Sequence, residues 1–188
     1  MTISDTRRFV YHVDRDNTII RVNADWIAFA QENAAAHLDD TTVIGQSLLD
    51  YVTDRETRHL YALLLQKVRN AQASITLPFR CDSPSLRRYM ELTLVPHINA
   101  GVEFDAQLIR IEPRPPMALL DPTQQRSEDF VVICSWCKRI RTPAGWCEVE
   151  VAVRRLRLFD TAKLPALSHG ICPSCQQMVR RELAQYAA

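Results

Sequence analysis

Two Cys-x-x-Cys steps constrain this chain more than anything else in it: Cys134-Ser135-Trp136-Cys137 and Cys172-Pro173-Ser174-Cys175. Each step can aim two thiolates at one ion, and two steps complete a tetrahedral four-sulfur shell. One step alone would suit a redox pair. Two steps in one short tail point to zinc, and four protein sulfurs leave no open coordination position, so the expected ion is structural and not catalytic. The long stretch from Cys137 to Cys172 leaves room for a helix between the two halves of the site. Lys138 and Arg139 lie where they can offset the negative charge of a four-thiolate zinc. His169, three residues before Cys172, reads as a hydrogen-bonding neighbour of the ligands. Trp136, between two ligands, either packs inward or offers an exposed aromatic to a partner.

Charge divides the chain near the first cysteine. Residues 1–133 carry 14 Lys and Arg against 18 Asp and Glu, whereas residues 134–188 carry 9 against 4. Different surfaces suggest two units. Between them, residues 113–128 hold four of the ten prolines and no regular period, as a linker would. The division expected is therefore 8–112, a linker at 113–128, and a metal-binding unit at 129–188. A segment as short as the last should fold only with its metal, while 8–112 folds without it.

The first unit alternates periods. Residues 9–22 read as a β-hairpin around the polar Asp14–Asn17. Asn23 then caps a helix expected over 24–36. Thr53 and Glu56 form a capping box for a second, longer helix with Leu60, Leu64 and Val68 along its apolar stripe. Three segments of period two follow, in residues 73–81, 87–96 and 101–112, with Pro78 marking a bulge or an edge. The fold class is α+β, a five-stranded antiparallel sheet with helices on one face. In the tail, residues 149–159 fit a strand or a helix, and helix is the better match. The last helix starts at Pro173 and keeps Cys175, Val179, Glu182 or Leu183, and Tyr186 on one side.

The hairpin ending in Val22-Asn23, the helix with Trp26, the stretch VIGQSLLDYV at 43–52, the long helix and the three closing strands resemble a PAS domain over residues 8–112. The tail's ICSWCKRIR, GWCEVE and SHGICPSC resemble a cysteine-rich segment at the end of various bacterial signal-transduction proteins, over about 131–177. The two resemblances imply a PAS-like sheet unit followed by a small zinc-stabilised tail of treble-clef or ribbon type. They also imply a ligand space or protein-contact surface between sheet and helices, for which Trp26, Phe29, Tyr51, Tyr61, Leu64, Phe79, Tyr89 and Met90 are the candidates. The flavin-photoreceptor version needs a cysteine motif that is missing here, and a haem version has only His59 to offer.

The function expected is non-enzymatic signal transduction in the cytoplasm, through a protein partner. No metalloprotease helix, phosphate-binding loop or serine-nucleophile motif occurs, and no apolar run is long enough to span a bilayer. A homodimer is expected through the sheet: Ile109, Ile111 and Val95 are read as one apolar patch opposite Val102, Phe104, Ala106 and Leu108. The competing cover for that face is a fold-back of Met117, Leu119 and Leu120. A nucleic-acid regulator is the alternative function, using Arg154, Arg155, Arg157, Lys163, Arg180 and Arg181 on the basic tail.

Overall fold

A computed structural model describes residues 7–185; Tyr186, expected on the last helix, lies outside the described residues. The expected hairpin is β1 (Arg8–Val13) with β2 (Ile19–Val22). Asn23 caps α1 (Ala24–Glu32) by accepting from the Trp26 amide. The helix stops short of residue 36 because Asn33 closes it and Ala34 takes a left-handed conformation at φ 59°. A single turn, α2 (Asp40–Val43), leads through a short 3-10 turn to α3 (Arg55–Ala71). The α3 cap is Asp54 and not Thr53: one carboxylate oxygen accepts from both the amide and the hydroxyl of Thr57, at 2.7 and 2.6 Å. Aspartate and threonine are both good caps; the helix begins at Arg55, so the residue in the extended conformation just before it is Asp54.

The closing strands are β3 (Ile75–Arg80), β4 (Leu86–Pro96) and β5 (Val102–Pro113). All pairings in the five-stranded sheet are antiparallel, in the order β2-β1-β5-β4-β3. Phe9, Val13, Ile75, Leu77, Leu92, Leu94 and Phe104 face the buried stripe of α3, Leu60, Leu64, Leu65 and Val68. Pro78 falls on the edge strand, where a missing amide hydrogen costs no ladder bond.

The expected apolar patch on the other face does not form. Tyr89 pairs with Arg110 and Met90 with Leu108, so Ile109 is an unpaired bulge. One extra residue reverses the alternation beyond it. Ile109 is left exposed, while Ile111 pairs with Arg88 on the Met90 side and is half-buried. Val95 sits on the outer face opposite Glu103, in polar company. There Thr76 bonds Thr93 at 3.0 Å, Arg8 pairs with the buried Asp105, and His12 meets Glu103 at 3.2 Å. Around Val95 this face therefore carries polar and charged groups, with Ile109 exposed beyond the bulge.

The tail forms a second sheet, β8-β7-β6-β9. Strand β6 (Arg126–Cys134) pairs antiparallel with β7 (Ile140–Thr142) and parallel with β9 (Leu164–Gly170). Strand β8 (Gly145–Cys147) completes it, and α4 (Val149–Arg155) makes the crossover to β9. Helix therefore wins over strand at 149–155. The last helix, α5, runs from Pro173 to Gln185. Leu119, from the proline-rich stretch, is fully buried with Ile133, Ile140, Val149 and Val153 in the tail's own core. Met117 and Leu120 pack against that core too, and not over the sheet's outer face.

Charge also joins the two units. Asp82 is almost fully buried between Arg80 and Arg114, and both arginines reach tail acids: Arg80 to Glu148 at 2.7 Å, Arg114 to Glu150 at 3.5 Å. Arg87 bonds Glu150 at 2.8 Å. The arginines at 80 and 87 thus pair within the chain. Arg114 also donates to the carbonyls of Ser83 and Pro84. Removing it leaves a buried carboxylate short of a partner and two carbonyls without their donor. Arg114→Ala is expected to lower unfolding free energy by about 3–5 kcal/mol in urea melts, against about 1 kcal/mol for the cap variant Asp54→Ala.

Candidate metal centre

Strand β6 delivers Cys134 at its last residue, and the chain then turns tightly. The Lys138 amide donates to the Cys134 carbonyl at 3.0 Å, and the Cys134 amide donates to the Arg139 carbonyl at 2.7 Å. Lys138 takes the left-handed conformation that closes such a turn, φ 61°. Strand β9 runs beside β6 to Gly170, whose carbonyl accepts from the Ser135 amide at 2.8 Å. A side chain at 170 would meet Val132 at 2.9 Å, which explains the glycine of the Ser168-His169-Gly170 triplet. Cys172 then precedes α5, and Cys175 lies in its first turn.

The four sulfurs of Cys134, Cys137, Cys172 and Cys175 lie within 4.8 Å of one another. Those of Cys137 and Cys172 are 3.7 Å apart. Sulfurs at about 2.3 Å from a tetrahedral zinc would be about 3.8 Å apart, so the donor set fits the ion. Amide hydrogens of Cys172 and Cys175 point at the sulfurs of Cys134 and Cys172, at 3.4 and 3.5 Å. Such bonds orient thiolates and disperse their charge. Without a cation the cluster is frustrated. Hydrogen bonds from the Cys137 and Cys175 thiols hold Cys134 far below the usual thiol range, and the Cys134 sulfur in turn pushes Cys137 up to about 12. Four thiolates this close together need a cation to balance their charge. The site matches a structural zinc centre.

The residues expected around it separate. Arg139 lies beside Cys137 and Cys172 but spends its guanidinium on Glu148 at 3.3 Å. The Lys138 ammonium donates to the Ser135 carbonyl at 2.8 Å. His169 makes none of the hydrogen bonds to sulfur among the described residues; it stands at the mouth of a cavity described below.

Trp136 is not an exposed interface residue. It is 3% accessible and seated on the first unit. Its indole nitrogen donates to the Pro78 carbonyl at 2.9 Å, and its own carbonyl accepts from the Arg80 amide at 2.8 Å. These two backbone groups belong to edge strand β3, so the zinc knuckle closes the open side of the sheet. Its ring lies 5.7 Å from that of Tyr61 on α3. Cys134, Trp136, Cys172, Cys175 and Val179 belong to the same continuous buried cluster as the sheet core. Three of the four cysteines are therefore packed into the first unit's core, which spacing along the chain could not reveal.

The eight pocket candidates divide likewise. Tyr51, Tyr61 and Phe79 line a cavity of about 510 Å³ between the units, and Trp26 and Tyr51 line an apolar one of about 220 Å³ beneath α1 and α2. Leu64 and Met90 are solid core, and Phe29 lies against Phe9 at 4.6 Å. Tyr89 is on the opposite face, under the Arg110 guanidinium at 4.0 Å. His59 is exposed, and Cys81 is held above the usual thiol range chiefly by burial. Asp54, Thr57, Ser135 and Leu167, which sequence reasoning passed over, line the larger cavity. No family model matches the chain, and no curated protein is similar to it.

Purified protein is expected to hold one zinc per chain, with X-ray absorption showing four sulfur neighbours at about 2.3 Å. Cys137→Ser should weaken retention by at least about tenfold. Folded protein with four free thiols and no metal would contradict the assignment.

Proposed function

We propose that this chain is a non-catalytic signal-transduction protein, in which a PAS-like unit senses or docks and a zinc-held tail carries its state to a protein partner. The observation that carries the reading is the closed four-cysteine centre whose own turn is seated on the sheet edge. A metal with four protein ligands offers no position for substrate. What it can do is fix Trp136 against β3, which couples the tail to the first unit. The PAS-like reading draws support from the five-stranded antiparallel sheet with its helices on one face, the arrangement that resemblance implies. Among the described residues, no helix is long and apolar enough to cross a membrane.

The partner is a protein in this reading, and a second copy of the chain is one such partner. On the five-stranded sheet a copy would meet the exposed Ile109 and Ile20. The experiment is affinity capture from the native host followed by sedimentation of the purified complex. One defined stoichiometric complex is expected, reduced at least about tenfold by Cys137→Ser. A chain that stays alone, wild type and variant alike, would contradict the proposal.

One observation favours a nucleic-acid role as the second reading. Arg154, Arg155, Arg157, Lys163, Arg180 and Arg181 are exposed, and none joins an ion pair among the described residues. Duplex binding that falls steeply with salt would support it. The first reading expects no such binding at physiological ionic strength.

A further inference from the structure

The cavity of about 510 Å³ lies where three elements meet. The start of α3 contributes Asp54, Thr57 and Tyr61, the sheet contributes Phe79 and Leu92, and the tail contributes Ser135, Trp136, Leu167 and His169, whose imidazole burial holds in the neutral form. Its size suits a small molecule and is far beyond the space of a few trapped waters. It is distinct from the 220 Å³ space beneath α1 and α2, whose lining is apolar apart from the phenols of Tyr11 and Tyr51.

The walls define what fits. Tyr61, Phe79 and Trp136 contribute aromatic surface, with the Tyr61 and Trp136 rings packed on one another at 5.7 Å to make one continuous wall. Aromatic wall of this kind suits the flat face of a ring. Polar groups converge at one end. Asp54 uses a single oxygen for its cap, Oδ2, and no hydrogen bond among the described residues falls on Oδ1. Thr57 Oγ1 stands 3.5 Å from Ser135 Oγ. Tyr61 lies deep enough that burial pushes its phenol up to about 12, yet it keeps accessible surface, which is cavity wall. Its hydroxyl makes no hydrogen bond among the described residues and is not closed off from the cavity, so it is free to bond an occupant. Charge selects further. Asp54 sits at the positive end of a 17-residue helix, so its charge is already offset and a cation gains little. An anion would face the carboxylate directly.

We propose that this cavity is a small-molecule site for an uncharged, fused-ring heteroaromatic compound, lying along the wall that Tyr61, Phe79 and Trp136 form, with its polar edge on Asp54, Thr57 and Tyr61. Because Trp136 is both wall and clasp, occupancy stabilises the docked tail by mass action. The site is the sensing element of the function proposed above and rests on that reading for its consequence, while binding itself is measured independently.

The test uses the zinc-loaded full chain, with adenine and indole as probes and naphthalene-2-carboxylate as an anion of similar ring area. Binding is followed by amide and indole N–H resonances. Saturable shifts are expected at Thr57, Tyr61, Phe79 and the Trp136 indole, with a dissociation constant at or below about 1 mM for adenine, and the anion about tenfold weaker or worse. Asp54→Asn keeps a good cap and should weaken adenine about fivefold with little change in stability. Leu167→Trp fills the cavity from the tail side and should abolish binding. Failure of both neutral probes to shift these signals, shifts centred elsewhere, or equal binding of the anion would overturn the proposal. Adenine binding without a partner complex would retain the site and remove the signalling function; a partner complex without binding would do the reverse.

Discussion

The structure depends on how Trp136 meets the edge of the first sheet. An edge strand leaves a row of backbone groups unpaired, and a protein must cover or blunt it. Here one residue supplies both a donor, the indole N–H to Pro78, and an acceptor, its carbonyl to the Arg80 amide. That residue is held between two cysteines of the metal centre, so its backbone has little freedom once the ion is bound. The same contact buries the indole against Tyr61 and brings the sulfur cluster into the apolar core of the sheet unit. A seam that would otherwise be a loose inter-domain contact thus becomes part of the core.

Around this clasp the charged residues form a second seam. Asp82 lies between Arg80 and Arg114, and those arginines continue to Glu148 and Glu150 on the tail. Buried ion pairs add little net stability over an apolar packing, yet breaking one is costly. Their effect here is to tie α4 to β3 and β4, since Glu148 and Glu150 each meet arginines of the sheet unit. One side of the seam is closed by metal and indole, another by charge, and the cavity lies on the metal's side. Its walls exist only when both units are in place.

Local features were legible from the residues. Asn23 reads as a cap because its side chain can reach an amide three residues on, and Pro78 reads as an edge because it lacks an amide hydrogen. The four cysteines are legible because coordination geometry demands paired thiols. What failed depended on one residue of register or on distance along the chain. Ile109 and Ile111 seemed to share a face until a bulge reversed the alternation between them. Trp136 could pack or protrude, since nothing near it in sequence announces that Pro78 and Arg80 are its partners. Arg80, Arg87 and Arg114 could have paired anywhere, and the burial of Asp82 is a tertiary fact. The cavity takes walls from residues 51 to 169 and has no sequence signature.

Through Trp136, zinc should hold the sheet edge as well as its own tail. Hydrogen exchange measured before and after zinc removal separates this from a tail that folds by itself. Chelation is expected to speed exchange at the Arg80 amide and through the first turns of α3, along with the tail, while β1 and β2 at the far side of the sheet keep their protection. Loss of protection confined to residues after 129, with Arg80 and α3 unchanged, would contradict it.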